Sequence, residues 1–394
     1  MTTALRAPDL VAAALERVVG SAHVHPLELE GGTRVVPLAC PAGAEEAQAC
    51  VQHALEHGLT LLPVGMLSKL GWARAPARLD FAMSLRRLRR VLSYEPGDGT
   101  IRVEAGISMA ELAHTVNEGG HWLTPDVPCP GGATIGGVIG AGASGFDRLR
   151  FGPLRHHVLG LRVVDGHGEL TKSGGQLVKN VTGYDLHRLY TGSHGTLCAI
   201  VEASLRLFAR PEHWVALSYG PLPEPRALTA ARTLLALPIR PYALLVRDLG
   251  DGSAELCMNL GGREEAVQHE RALVIAALGT PARSSEDAHA LAQARAWRDE
   301  GQAEGRWPDL VLDCLPSRVE CEVSELRRKL AETRVDARLT ILPGLARIEC
   351  RSANGRVPSS ISSAAPAGLD LMRRLKSALD PRAVFAGGRV HADP

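Results

Sequence analysis

The stretch PGGATIGGVIGAGASG, from Pro130 to Gly145, is unusually rich in glycine and decides how the chain is interpreted. Seven of its sixteen residues are glycine. Glycine at this density costs conformational entropy, and it is typical of backbone that approaches a ligand closely. Unpaired N–H groups in glycine loops and at helix starts bind phosphate well. We therefore expect an anion-binding segment with a short helix that starts at Thr134, whose hydroxyl would cap it.

Residues 140–145 match GxGxxG, the dinucleotide fingerprint of Rossmann folds. That fingerprint needs a strand directly before it and an amphipathic helix directly after it. The preceding residues, Pro128 to Gly132, do not have the sequence of a strand. The following residues, Phe146 to Pro153, end in Gly-Pro before a helix could complete two turns. The flanking sequence thus argues against a Rossmann domain.

Outward from the glycine stretch, three segments form a long ordered pattern. They are TIGGVIGAGASG, RFGPLRHHVLGLRVVDGHGEL and KNVTGYDLHRLYTGSHGTLCAIVEASLRL. The pattern resembles the PCMH-type FAD-binding domain of the vanillyl-alcohol-oxidase/p-cresol-methylhydroxylase superfamily. Within that superfamily it is most similar to the family of FAD-binding E subunits of bacterial glycolate oxidases. The resemblance covers about residues 37–211, and LKSALDPRAVFAGGR near the C-terminus resembles the superfamily tail.

The resemblance implies an α+β fold in three parts. Residues 1–212 would form a two-subdomain PCMH-type FAD-binding domain with an N-terminal helix. Residues 213–351 would form a ferredoxin-like α+β cap domain, and residues 352–394 a connector and a C-terminal tail that returns to the FAD domain. The pattern of residues 213–350 agrees with a cap, since strand-helix-strand-strand-helix is followed by a similar second round. It predicts helices on one face of a sheet.

The resemblance also implies non-covalent FAD, because the loop Pro63 to Gly71 has no histidine for flavin attachment. Met66 and Leu67 stand where the family commonly has glycine or polar residues, so an ordinary β-to-α turn stays an alternative for this loop. The implied cofactor-binding residues are Gly65, Leu67, Ser68, Lys69, Asp126, Thr134, Ile135, Gly136, Gly137, Gly140, Gly142, Ser193, Gly195 and Ile200.

Tyr184, His194 and Arg389 are the candidate catalytic residues facing the isoalloxazine. A guanidinium such as that of Arg389 would bind a carboxylate bidentately or offset charge on reduced flavin. The structural alternatives are core packing for Tyr184 and an exposed loop for His194.

Metal chemistry is not indicated by the cysteines and histidines. The eight cysteines are scattered without any CxxC pair, whereas zinc and iron–sulfur sites usually take ligands in close pairs. The cap-domain motifs of catalytic 2-hydroxy-acid flavoproteins, H..GdGN.H and GEHG.G, are also missing. We therefore expect no metal in this chain. The resemblance implies a second FAD-containing catalytic subunit and an iron–sulfur subunit as partners.

Three hypotheses follow for function. The chain is a redox-active FAD subunit that supports oxidation of glycolate to glyoxylate within a complex. Alternatively, it is a structural subunit with a degenerate flavin site, or a stand-alone FAD oxidase of another substrate.

Composition excludes several other classes of protein. With 394 residues, 45% hydrophobic and 22% charged, the chain has the composition of a globular protein of two domains. A formal net charge of +1 provides no field that would favour nucleic acid.

The first twenty residues lack a signal-peptide layout, and no window of the sequence is apolar enough for a membrane-spanning helix. We expect a cytoplasmic protein, whose membrane contact is at most peripheral, at the inner face and through its complex.

Overall fold

The computed structural model describes residues 8–29, 34–128, 130–176, 183–299, 308–352 and 368–389. The predicted motif at residues 179–182 and the predicted connector at 353–366 lie outside these ranges.

The first sheet is built around a β-α-β unit. Its strands are β1 (Val24–Leu29), β2 (Arg34–Ala39), β3 (Leu61–Val64) and β4 (Phe81–Ser84). The order is β1-β2-β4-β3, with β2, β4 and β3 parallel. Helices α1 (Pro8–Val19) and α2 (Ala44–His57) cover it with fully buried side chains such as Leu15 and Val51. The parallel strands all point toward the loop after β3, and this brings that loop to one edge of the sheet.

The second sheet is antiparallel and lies beside the first. Strands β5 to β11 are Val91–Glu95, Thr100–Glu104, His121–Trp122, Val158–Val164, Leu170–Gly174, Ala199–Arg206 and Phe208–Ala209. Their main sheet has the order β5-β6-β10-β8-β9, while β7 pairs with β11. Helices α3 to α6 are Met109–Glu118, Ile135–Ala141, Arg148–Phe151 and Leu186–Tyr190.

Two helix starts are fixed by their caps, and the second confirms the predicted start at Thr134. Ser108 and Glu111 form a capping box at the start of α3. The Thr134 hydroxyl accepts a hydrogen bond of 3.2 Å from the backbone N–H of Gly137 at the start of α4. Helix α4 ends at Gly142, whose φ of 60° favours glycine. The glycine stretch therefore forms one short capped helix.

The third sheet forms the cap. Strands β12 to β18 are His213–Pro223, Ala243–Asp248, Ser253–Gly262, Arg283–Glu286, Leu310–Asp313, Ala337–Leu342 and Arg347–Ser352. Helices α7 to α10 are Glu224–Leu235, Glu264–Leu278, Asp287–Asp299 and Val319–Glu332. The order is β15-β12-β14-β13-β17-β18-β16, and the neighbouring strands are antiparallel. The first βαββαβ unit has the ferredoxin-like order, and β16-α10-β17-β18 repeats part of it.

The prediction that the cap helices share one face of this sheet is wrong for α9. Alternate strand residues such as Leu217 and Val246 face α7, α8 and α10. Trp214 and Leu245 point to the opposite face, where Trp297 of α9 packs among aromatic residues. Residues on both faces of these strands are apolar. The sequence therefore did not distinguish the two faces, and it did not show that helices cover both of them.

The C-terminal tail returns to the first sheet. Helix α11 (Leu369–Leu379) leads into a segment whose Phe385 is fully buried beside β3. Leu61 donates a backbone hydrogen bond to Val384 and accepts one from Ala386, both 2.8 Å long. The Lys376 ammonium donates to the carbonyls of Thr196 and Phe385 and to the Asp380 carboxylate. The tail thus extends the first sheet next to the loop after β3.

A buried polar cluster connects the cap to the rest of the chain. Arg298 of α9 donates to the carboxylate of Asp126 and also pairs with Asp299 at 2.8 Å. The Asp126 backbone N–H donates to both carboxyl oxygens of Asp147 at 3.1 Å. Burial, together with the neighbouring Asp126 carboxylate, raises the pKa of Asp147 to about 8. Asp147 is therefore a buried carboxyl that stays protonated at neutral pH.

The raised pKa predicts a pH dependence of stability. The folded chain keeps the Asp147 carboxyl protonated up to pH about 8, whereas in the unfolded chain this carboxyl loses its proton near pH 4. The Asp147 contribution to the free energy of unfolding is therefore full below pH ~4 and falls as the pH rises to ~8. We predict that Asp147→Asn removes this fall in stability. The free energy of unfolding of the variant, relative to that of the native chain, should therefore increase between pH 5 and 8 by an amount on the order of 1 kcal/mol or more.

Denaturant unfolding at a series of pH values measures this difference. The control is Asp370→Asn, at a carboxylate that is 89% exposed, and its difference from the native chain should not depend on pH. A pH-independent difference for Asp147→Asn as well would contradict the assignment.

Candidate functional site

A cleft lies between the first and second sheets, where three distant segments of the chain meet. These are the loop after β3, helix α4 and the turn before β10, and the C-terminal tail closes one side. The cleft holds about 770 Å³, counting the part open to solvent. It is lined by Leu62, Pro63, Val64, Gly65, Met66, Leu67, Ser68, Lys69, Leu70, Leu85, Ala105, Thr134, Gly136, Gly137, Gly140, Ala141, Ser193, His194, Gly195, Cys198, Ile200 and Arg389.

The floor of the cleft is a close contact between Gly65 and Thr134. A Cβ at residue 65 would lie 2.0 Å from the Thr134 hydroxyl oxygen, so a side chain does not fit there. The Gly65 carbonyl accepts a hydrogen bond of 2.9 Å from Ser84 at the end of β4. This contact sets the distance between the loop after β3 and the start of α4.

Helix α4 turns a glycine surface toward the cleft. A Cβ at Gly140 would meet no atom within 4 Å, and one at Gly137 would meet only the Thr134 hydroxyl. At Gly136, by contrast, a Cβ would lie 2.8 Å from the Ala105 methyl, so this glycine serves the packing of α4 on the second sheet. Gly137 and Gly140 are therefore the positions at which a ligand would approach the helix backbone.

Two backbone hydrogen bonds join the turn before β10 to α4. The His194 N–H donates to the Gly140 carbonyl at 2.7 Å, and the Gly192 N–H donates to Ile139 at 2.9 Å. Gly195 has a φ of 74°, and its backbone lies against Pro63 of β3. The turn thus closes the cleft from the side of the second sheet.

Leu67 shows how the loop after β3 departs from the pattern that it resembles. Its φ of 65° lies in the left-handed region, which costs a residue other than glycine about 1–2 kcal/mol. Glycine would adopt this backbone without strain, and this explains why glycine is suited to the loop.

Arg389 is a buried cation at the cleft wall. Only 4% of its surface is exposed, and its two terminal nitrogens donate to the carbonyls of Arg74 and Leu70 at 2.8 and 3.1 Å. Among the described residues, no acceptor contacts its Nε and no carboxylate pairs with it. A buried charge without a counter-charge is costly, and an anion in the cleft would offset that cost.

Arg389 also influences His194. Burial lowers the pKa of His194 to about 4, and the positive charge of Arg389 adds to the lowering. The imidazole is therefore neutral at neutral pH, so that Arg389 is the charged partner of the two.

Most of the predicted site residues come together in the cleft, but four do not line it. Tyr184 is 91% exposed and Ile135 is fully buried in the core. Gly142 ends α4 against Gly192, and Asp126 pairs with Arg298 at the cap. The two candidate catalytic residues that do line the cleft are His194 and Arg389.

Several lining residues were not predicted. They include Leu62, Pro63, Val64, Met66, Leu70, Leu85, Ala105, Ala141 and Cys198. Val64 ends β3, Leu85 follows β4 and Ala105 follows β6. The ends of these strands would have been the available signal, but the sequence does not show which strand ends meet.

Comparison with known proteins identifies the domain. The family model of the FAD binding domain matches residues 37–174, and these supply both the loop after β3 and α4. The chain therefore contains a FAD binding domain, and FAD is its cofactor.

The curated relatives match only in part. D-2-hydroxyglutarate dehydrogenase of Stutzerimonas stutzeri is 34% identical over 180 residues, which are 46% of this chain and 39% of that protein. Glycolate oxidase subunit GlcD of Bacillus subtilis is 30% identical over 172 residues, which are 44% of this chain and 37% of that protein. The chain thus matches less than half the length of these relatives, and glycolate oxidase is not singled out among them.

Solved structures confirm the fold. The 4-ethylphenol oxidase from Gulosibacter chungangensis is 15% identical, with a TM-score of 0.72 over 98% of this chain and 97% of that chain. An alkyldihydroxyacetonephosphate synthase is 17% identical, with a TM-score of 0.68 over 92% of this chain and 80% of that chain. The predicted α+β fold with a PCMH-type FAD-binding domain is confirmed.

The cleft also fits FAD on chemical grounds. FAD carries a pyrophosphate, and the cleft offers it a glycine surface, the hydroxyl groups of Ser68, Thr134 and Ser193, and the unneutralised charge of Arg389. Binding of the cofactor would thus supply the missing counter-charge.

The contact at the floor of the cleft gives a sharp prediction. Gly65→Ala places a methyl group into Thr134, and we predict a loss of about 1–3 kcal/mol in stability together with weaker FAD binding. Gly71→Ala is the matched control in the same loop, because its Cβ meets nothing within 4 Å.

Thermal unfolding and a FAD titration of both variants test this prediction. Equal behaviour of the two variants would contradict the role assigned to the contact.

Proposed function

We propose that this chain is the FAD-binding subunit of a complex that oxidises a 2-hydroxy acid, such as glycolate, and passes the electrons to an iron–sulfur partner. The named activities of the relatives support the substrate class, since 2-hydroxyglutarate and glycolate are both 2-hydroxy acids. The resemblance of the sequence to E subunits supports the place in a complex.

The observation that carries the proposal is the cleft with Arg389 at its wall. The open glycine positions let a ligand approach the backbone of α4 closely. The buried guanidinium of Arg389 provides a positive charge that an anion would neutralise. FAD supplies the capacity to accept and release electrons when it is bound. The chain binds and orients it, keeps His194 neutral beside it, and places one positive charge in a region of low dielectric, where charge acts strongly.

The packing of the cap supports a partner subunit as the site of substrate chemistry. The cap face toward the FAD domain is filled by α9 and by aromatic residues, with Trp122 and Tyr242 packed on Trp214 at ring distances of 5.2 and 4.6 Å. The lining of the cleft includes no described residue from 213 to 352. This arrangement favours a second FAD-containing catalytic subunit that binds the hydroxy acid. It also favours, as the second candidate, an accessory subunit without catalysis.

The visible spectrum under anaerobic conditions separates these candidates. We predict that the chain purified alone shows flavin bands, and that glycolate or D-2-hydroxyglutarate leaves them unchanged. The complex isolated intact from its native source should lose the absorbance of both its flavins, that of this chain and that of the catalytic subunit, when its substrate is added. Bleaching of the isolated chain would instead make it a stand-alone oxidoreductase. A flavin that never changes within the intact complex would make the chain an accessory subunit.

A variant that fills the cleft tests whether the bound flavin lies there. Gly140→Leu extends a side chain into open space, so we predict a folded chain with FAD affinity lowered about 100-fold or more, or ~2.7 kcal/mol. The matched control is Gly97→Leu, whose side chain also meets nothing within 4 Å but lies in a turn away from the cleft.

Flavin content after reconstitution measures the effect, and circular dichroism confirms folding. Full flavin content in Gly140→Leu would place the cofactor elsewhere and contradict the proposed site.

A further inference from the structure

A cluster of histidine and glutamate side chains lies on the surface of α2, apart from the cleft. It consists of His53, Glu56 and His57, whose potential ligand atoms all lie within 4.8 Å of one another. His53 is half-buried, and the other two residues are exposed. We propose that this cluster is a binding site for a divalent transition-metal ion of the zinc class.

The helix itself brings the ligands together. Residues three and four positions apart lie on the same face of an α-helix, one turn above the other. His53, Glu56 and His57 have this spacing in the last turns of α2, and the two imidazole centroids are 4.2 Å apart. Ligand atoms bound tetrahedrally to one zinc ion at ~2.0–2.2 Å lie roughly 3.3–3.6 Å from each other. Small rotations of surface side chains therefore suffice to close the site.

The orientation of His57 suits metal binding. Its Nδ1 lies 3.0 Å from the backbone carbonyl of His53, which accepts a hydrogen bond when Nδ1 carries the proton. The proton on Nδ1 leaves Nε2 as the basic nitrogen, and the carbonyl holds the ring in place. Metal-binding histidines commonly have such a second hydrogen bond to a carbonyl.

The donor set selects the class of ion. Two neutral imidazoles and one carboxylate suit zinc, copper or nickel, whereas calcium and magnesium prefer oxygen ligands alone. Glu56 adds a negative charge that offsets part of the ion's charge. The remaining coordination positions face solvent and would hold water, because the site is on the surface.

Calorimetric titration of the untagged, full-length chain with Zn²⁺ alone tests the site. All proteins carry Cys321→Ser, since Cys321 is an exposed thiol that competes for zinc. We predict one ion per chain. Affinity should fall at least tenfold, ~1.4 kcal/mol, in His57→Ala and by a smaller factor in Glu56→Gln.

The matched control is His114→Ala, because His114 is an exposed helical histidine that lies 3.5 Å from Glu118. Its zinc affinity should equal that of the parent chain. Zinc should also raise the midpoint of thermal unfolding in the parent and in His114→Ala, but not in His57→Ala. No zinc binding, or binding that His57→Ala leaves unchanged, would overturn the proposal. Flavin content is measured in parallel and should not respond to these variants, so the outcome is independent of the proposed function.

Discussion

The contact of Gly65 with Thr134 is the constraint on which the site depends. It joins the first sheet to the start of α4, and it tolerates no side chain at residue 65. Thr134 has a second task there, since its hydroxyl also caps α4. The same contact therefore fixes both where α4 begins and how near it lies to the loop after β3. The width of the cleft depends on both of these features.

The C-terminal tail brings a positive charge without a described counter-charge to the wall of the cleft. Phe385 inserts beside β3, and this places Arg389 at the wall with its terminal nitrogens held by carbonyl groups. Carbonyl partners satisfy hydrogen bonds but do not neutralise charge. The chain thus folds around a positive charge without a described counter-charge, which FAD would supply under the proposed function. Cofactor binding and docking of the tail should in consequence stabilise each other.

Local patterns predicted much of this arrangement, and distant contacts account for what they missed. The capped helix at Thr134 depends on residues close in sequence and was predicted from them, whereas the return of the tail to the FAD domain was implied by the resemblance to the family. Both appear in the structure. Asp126 was assigned to the cofactor, yet it pairs with Arg298, 172 residues further along the chain. Tyr184 has the residue type of a flavin neighbour but points to solvent. No local periodicity encodes such pairings, nor the position of α9 on the second face of the cap sheet.

The most direct test of this account is the dissociation constant of FAD for Arg389→Met, compared with Arg389→Lys and the native chain. Lysine keeps the charge, so the account predicts an affinity within about tenfold of the native value, or ~1.4 kcal/mol. Methionine has similar length without charge, and it should weaken FAD binding by about 30-fold or more, corresponding to ~2 kcal/mol. If Arg389→Met binds FAD as tightly as the native chain, the buried guanidinium does not serve the cofactor, and the central claim fails.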